Sequence, residues 1–205
     1  MLTLYYATGS CALASHIALE EAGAPYPAER LMLKQNDQRK PEYLKINPKG
    51  RVPALVTDHG ILTETPAILA YIAQSFPAAK LSPADPWSFA QVQSFNSYLC
   101  STVHVAHAHG GRGTRWADDP VALEAMKKKV TPNMADCFAL IEREMVRGPW
   151  VLGDAYSIAD PYLYTISGWL KADSVDVAQF PKVAAHRAKM EARPAVQRVL
   201  AAENA

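Results

Sequence analysis

The stretch "YYATGSCALASHIALEEAG", residues 5–23, decides how the rest of the chain is read. It is preceded by Leu2, Thr3 and Leu4, so "LTLYY" forms a short apolar and aromatic run suited to a buried strand. Gly9 interrupts that run. Beyond it Leu13 and Ile17, and Ala14 and Ala18, recur at the four-residue spacing of a helix, and Gly23 stands where a helix would end. A second strand is predicted over Tyr26–Leu33. A strand, a helix and a strand this close together make a parallel βαβ crossover. Cys11 falls at the turn from strand to helix. In a first helical turn a thiol feels the positive end of the helix dipole, which favours thiolate. A free cysteine can equally be a small buried hydrophobe, and the residues alone leave both readings open.

Moving outward, "INPKGRVPALV" (46–56) holds a turn at Pro48 and Gly50, and Pro53 opens a strand. Proline has no amide hydrogen for a sheet, so Pro53 must sit at a strand start or edge. The pair "HG" (59–60) is a tight turn before "ILT", and "TETPAILAYIAQSF" (63–76) begins a helix with Thr65 as its cap and Pro66 at its first position. A short helix near Pro41–Ile46 completes the order βαβ, helix, ββα. The segment "FPAAKLSPADP" (76–86) carries three prolines and reads as a linker, after which residues 86–205 are helical throughout. The division expected is residues 1–77 as an α/β unit, 78–87 as linker and 88–205 as an all-α unit. Within the latter, Ser157 and Asp160 form a capping-box variant.

Composition narrows the function. Hydrophobic residues make up 49% and charged residues 20% of 205, an ordinary soluble globular balance large enough for a core. A net charge of +1, with Lys127–Lys129 as the only basic run, gives no pull towards nucleic acid. No apolar run approaches the ~18 residues of a membrane span. "MLTLYY" lacks a charged leader, so no secretory signal is expected. Cys11, Cys100 and Cys137 form no CxxC and no metal spacing, which favours reduced thiols in a cytoplasm. His104 and His107 can share a helix face, but His109 points elsewhere and no nearby acid completes a metal site.

Taken in order, these segments look familiar. The βαβ–ββα arrangement with "VP" opening a strand, "ETPAI" opening a helix, a proline-rich linker and a helical second half resembles cytosolic glutathione S-transferases. "YYATGSCALASHIALEEAG", "INPKGRVPALV" and "WVLGDAYSIADPYLYTISGWL" (150–170) resemble the bacterial beta class more narrowly. The likeness runs over nearly the whole chain. It implies a thioredoxin-like domain that binds glutathione as co-substrate, an all-helical domain that receives a small hydrophobic electrophile, a homodimer and no further cofactor.

The resemblance also implies roles. Cys11 would lie beside the glutathione sulfur and could form a mixed disulfide with it. Ser10 could donate to a thiolate, or simply cap the helix. Val52, joined to Pro53 by a cis bond, would pair with the cysteinyl part of glutathione like an added strand. Glu64 and Thr65 would hold its γ-glutamyl end at a helix N-terminus. His104, in "YLCSTVHVAHAHGGRG" (98–113), would donate to the thiolate or take its proton. Tyr164 and Trp169 would line the electrophile pocket. The family's usual lysine for the glycyl carboxylate has no clean match; Lys34 or Asn36 is nearest. Thr8 replaces a proline, and Thr102 replaces an acidic residue that would reach the partner's glutathione. Arg112 and Arg115 could favour an anionic co-substrate. Glutathione conjugation is the function these features imply. A glutathione-dependent thiol–disulfide reductase using Cys11, limited to one cysteine for want of a second nearby, and a non-catalytic carrier of apolar ligands are the alternatives.

Overall fold

A computed structural model describes residues 2–205. Strands β1 (Thr3–Tyr6), β2 (Ala28–Arg30), β3 (Ala54–Thr57) and β4 (Gly60–Thr63) form one sheet in the order β2-β1-β3-β4. β1 pairs with β2 in parallel, as the crossover through α1 (Ala12–Glu21) requires. β3 and β4 run antiparallel, with Leu4 opposite Leu55 and Leu55 opposite Leu62. β2 is shorter than the apolar run predicted it to be. Gly60, at φ 124°, makes the turn into β4 with a backbone that a side chain would strain. α2 (Pro41–Leu44) is the short helix expected there.

α3 (Thr65–Ser75) starts one residue from where the sequence places it: Glu64 is the cap, at φ 73°, and Thr65 is the first helical residue. Nothing in the residue pattern marks a glutamate for that uncommon backbone. The helical half begins with α4 (Pro86–Tyr98), whose Ser88 amide donates to the Asp85 carboxylate at 2.8 Å. A stretch of π-helix, Leu99–Val103, joins α4 to α5 (His104–Gly111). Next come α6 (Pro120–Leu140), α7 (Ala159–Ser167), α8 (Pro181–Glu191) and α9 (Pro194–Asn204). The capping variant forms: the Ala159 amide donates to the Ser157 hydroxyl, and the Ser157 amide donates to Asp160 at 2.7 Å.

The two halves share one core. Leu4, Leu55, Ile68 and Leu69 from the sheet side join Phe95, Phe138, Tyr162 and Leu163 in a single buried cluster. α1 is the pivot, packed against α3 on one side and α7 and α9 on the other. Its run Ala14–Leu19 is buried without a break, so it has no polar face to show. The fold thereby fixes the β1–α1 turn, with Cys11 at its apex, against the start of α5.

Candidate active site

Gly9, at φ 72°, ends the segment after β1 in a left-handed turn, and Ser10 follows. The Ser10 hydroxyl donates to the Ala7 carbonyl at 2.7 Å and accepts from the Ala12 amide at 3.2 Å. Ser10 therefore serves the turn and the helix start, and its proton is not directed at the cleft. Cys11 caps α1, half-buried, with its thiol 3.6 Å from the Val52 carbonyl, which accepts from it.

The expected lowering of the Cys11 pKa is overturned. Burial pushes the thiol above its ordinary range, and the hydrogen bond with Thr65 and the Arg112 charge, which both pull it down, do not offset that. The dipole effect is local and was legible; desolvation depends on what packs over the sulfur and was not. Cys11 is a thiol at neutral pH.

The Val52–Pro53 bond is cis. Val52, Pro53, Glu64 and Thr65 line the same cleft as Cys11 and His104. Thr65 is buried, whereas Glu64 is exposed, with its carboxylate 2.6 Å from the Lys49 ammonium. Lys49 also donates to the Thr63 hydroxyl at 2.8 Å.

His104 opens α5 and is partly buried. Its Nε2 lies 3.1 Å from the Arg112 guanidinium, which can only donate, so the ring proton sits on Nδ1. Burial, and then the charges of Arg112, His107, Arg115 and Arg51, press its pKa down to about 3. Of the two roles the sequence left open for His104, a ring so weakly basic fits the donor and not the proton acceptor. Its edge meets Trp169 with the ring centres 4.8 Å apart. Trp169 also stacks on His107 at 4.5 Å and donates from its indole nitrogen to the Gly9 carbonyl at 3.0 Å. His107 in turn is held by Asp173 at 2.8 Å. The two histidines and Trp169 thus tie α5 and the segment after α7 to the Cys11 loop.

Two sequence-predicted residues fall elsewhere. Tyr164 faces away from the cleft: it packs with Ile17, Trp150 and Met190, and the Arg187 guanidinium lies 4.7 Å from its ring centre. The tyrosine at the cleft is Tyr162, two residues earlier. Because α7 is buried on every side, no exposed face marks which of the two tyrosines meets the cleft. Asn36 is exposed, in a left-handed turn between two short 3-10 segments, and lies outside the cleft wall; Gln38 and Arg39 line it instead.

The sequence also hid a second thiol. Cys100, in the π-helical stretch, lines the cleft with Cys11, and each cysteine's electrostatics registers its neighbours there: Cys100 that of Glu64, Cys11 that of Cys100 itself. Tyr162 hydrogen-bonds Cys100, and burial drives its own hydroxyl far above the phenol range. The expectation that Cys11 has no second cysteine nearby is corrected: Cys11 and Cys100, 89 positions apart in sequence, line one cleft that the two halves form together. Arg51, next to Val52, was missed as well.

The whole site is a cleft between the two halves, in two adjoining parts of about 690 and 1090 Å³ of empty space, both open to solvent. It offers a backbone edge at Val52, a helix start at Thr65, two thiols, a neutral imidazole and several arginines.

Residues 1–74 match the family described as glutathione S-transferase, N-terminal domain, and residues 105–194 the one described as glutathione S-transferase, C-terminal domain. The chain is 31% identical to glutathione S-transferase GstA of Escherichia coli O157:H7 over 98% of both chains. Among solved structures, it is similar to a glutathione transferase homologue from Sulfitobacter with bound glutathione, at 47% identity, a TM-score of 0.96 and 98% coverage of each chain. A sphingomonad glutathione S-transferase complexed with glutathione superposes with a TM-score of 0.87 at 35% identity, again over 98% of each chain.

Proposed function

This chain belongs to the glutathione S-transferase family, and from that premise we propose that it conjugates glutathione to small electrophiles in the cleft between its halves. Residues 1–77 supply the glutathione side, 78–87 link, and 88–205 supply the electrophile side. The observation that carries this reading is the convergence of Cys11, Val52, Thr65 and His104 on one cleft from four separate elements. The cysteinyl backbone of glutathione pairs with Val52 as an added strand. Its γ-glutamyl carboxylate takes the Thr65 end of α3, and its ammonium takes Glu64. The glycyl carboxylate meets Gln38 and Arg39 in place of the expected Asn36.

The sulfur then lies over Cys11. As a protonated thiol, Cys11 donates to it, and the Nδ1–H of neutral His104 can do the same; neither accepts its proton, which leaves to solvent. The surrounding guanidinium charges favour glutathione thiolate, and holding that thiolate beside an electrophile supplies proximity. The partners are glutathione and an electrophile, and the assembly is a homodimer in the cytoplasm. Among the described residues no helix is long and apolar enough to cross a membrane.

Titration calorimetry with millimolar glutathione, followed by turnover of an electrophile panel, tests the proposal. Absence of binding sinks it; binding without turnover of any electrophile leaves a carrier. A second reading, a one-cysteine thiol–disulfide reductase, draws support from the Cys11 thiol lining the cleft. Cys11, on losing its proton to solvent, would attack a glutathionylated substrate, release the substrate's thiolate and retain glutathione as a mixed disulfide, which a second glutathione thiolate then cleaves to give glutathione disulfide and free Cys11. Loss of this activity, with conjugation retained, in Cys11→Ala separates the two.

A further inference from the structure

Four arginines converge on the cleft beside Cys11. Arg39 stands at the end of a short 3-10 turn, Arg51 precedes Val52, Arg112 follows α5, and Arg115 closes the next turn. None has a carboxylate within 4 Å among the described residues, although Arg187, Arg193 and Arg198 each do. The acid lining the cleft is already engaged, Glu64 with Lys49 at 2.6 Å, as is Asp37, beside Gln38, with Lys40 at 2.7 Å. Arg112 is partly buried and has for its near partner a neutral imidazole, His104, at 3.1 Å. Burial, and after it repulsion from Arg51, act against its charge, while Cys11 favours it. Arg39, Arg51 and Arg115 are exposed and Arg112 is partly buried; four cations gathered without counter-charge in one concave cleft make a positive field there that draws in an anion.

Glutathione brings two carboxylates, but the Thr65 end and the Gln38–Arg39 end account for them. Arg112 and Arg115 come from the helical half, across the cleft. Next to Arg115 lie Val105, Ala108 and Trp116, an apolar wall. We propose that the co-substrate is an organic anion: an electrophile with an apolar body against Val105, Ala108 and Trp116 and a carboxylate between Arg112 and Arg115, its reactive carbon over Cys11. This names the substrate class of the conjugation proposed above and rests on it. For an unsaturated keto acid such as 3-benzoylacrylic acid the step is an addition. The glutathione sulfur forms a bond to the alkene carbon β to the ketone, which is the one bearing the carboxylate, the π pair moves to the other alkene carbon and the ketone oxygen, and a proton from solvent, replacing the one lost by the thiol, completes the adduct with no leaving group.

The test compares 3-benzoylacrylic acid with its primary amide, each rate divided by that of the uncatalysed reaction with glutathione. The native protein is expected to favour the acid at least tenfold, with the preference falling as salt rises. In Arg115→Ala that acid-to-amide ratio should fall about tenfold, and in Arg115→Lys by less, since a point charge remains. Arg112→Gln should lower the ratio too. Thermal melting confirms that the exposed Arg115 variants are folded. Equal enhancement of acid and amide by the native protein overturns the inference and leaves conjugation standing. A weaker glutathione Kd in Arg115→Ala with an unchanged ratio also overturns it, assigning the cluster to glutathione's own carboxylate. Failure of native protein to bind glutathione brings down both proposals together.

Discussion

Cys11 shows how one atom's surroundings decide its chemistry. With its pKa raised by burial, little thiolate exists at neutral pH, so iodoacetamide should alkylate it more slowly than free cysteine at pH 7, and faster as pH rises. Mass spectrometry of the labelled peptide against pH reads this; alkylation at pH 7 faster than free cysteine contradicts it. His104 supplies the complementary case. Its pKa, pressed down to about 3, keeps the ring neutral throughout pH 5–8 in the free protein, so its Cε1–H resonance should not titrate there. Glu64 holds a positive φ of 73°, costly for any residue but glycine. Glu64→Gly should therefore leave thermal stability equal or about 1 kcal/mol higher while weakening glutathione binding, measured by calorimetry, by tenfold or more. A loss of stability would show that the Lys49 pair outweighs the strain. At this scale the sequence was informative about which residue types meet, and silent about their protonation, because desolvation is a tertiary property.

Among elements, the best supported junction is the start of α7. Asp160 is fully buried; its carboxylate accepts from the Val151 and Ser157 amides at 2.8 and 2.7 Å and meets His186 Nε2 at 3.0 Å. Asp160→Ala strands two amides and a ring nitrogen in the core and should cost about 3–5 kcal/mol, seen as a large drop in the denaturation midpoint with the slope unchanged. A change under 1 kcal/mol would mean that water replaces the carboxylate. Ser157 and Asp160 were legible because a cap is written in neighbouring residues. The face of α7 that meets the cleft was not: with no polar side, the helix gives Tyr162 and Tyr164 equal claims. The π-helical stretch carrying Cys100 was likewise unreadable, since its extra residue per turn leaves no compositional mark.

For the whole molecule, the sequence separated an α/β half from a helical one correctly in outline, since period and proline placement change together near residue 80. It did not show that the halves share a core. Leu69 and Tyr162 belong to one cluster, and α1 is covered on one side by α7 and α9. A fragment ending at residue 77 should therefore lack fixed packing: near-ultraviolet circular dichroism of the isolated piece is expected to be flat, and a native-like spectrum would show the halves to be independent.

α9 reaches back to the other end of the chain. The Glu203 carboxylate lies 3.0 Å from His16 Nδ1, inside α1, and the Glu203 carbonyl accepts from the Thr8 hydroxyl at 3.1 Å, three residues before Cys11. During synthesis Thr8 in the β1–α1 turn leaves the ribosome 195 residues ahead of Glu203, which clasps it. The nascent chain thus carries that turn unfastened until α9 has emerged. The turn that carries Cys11 is fastened all at once, when α9 docks.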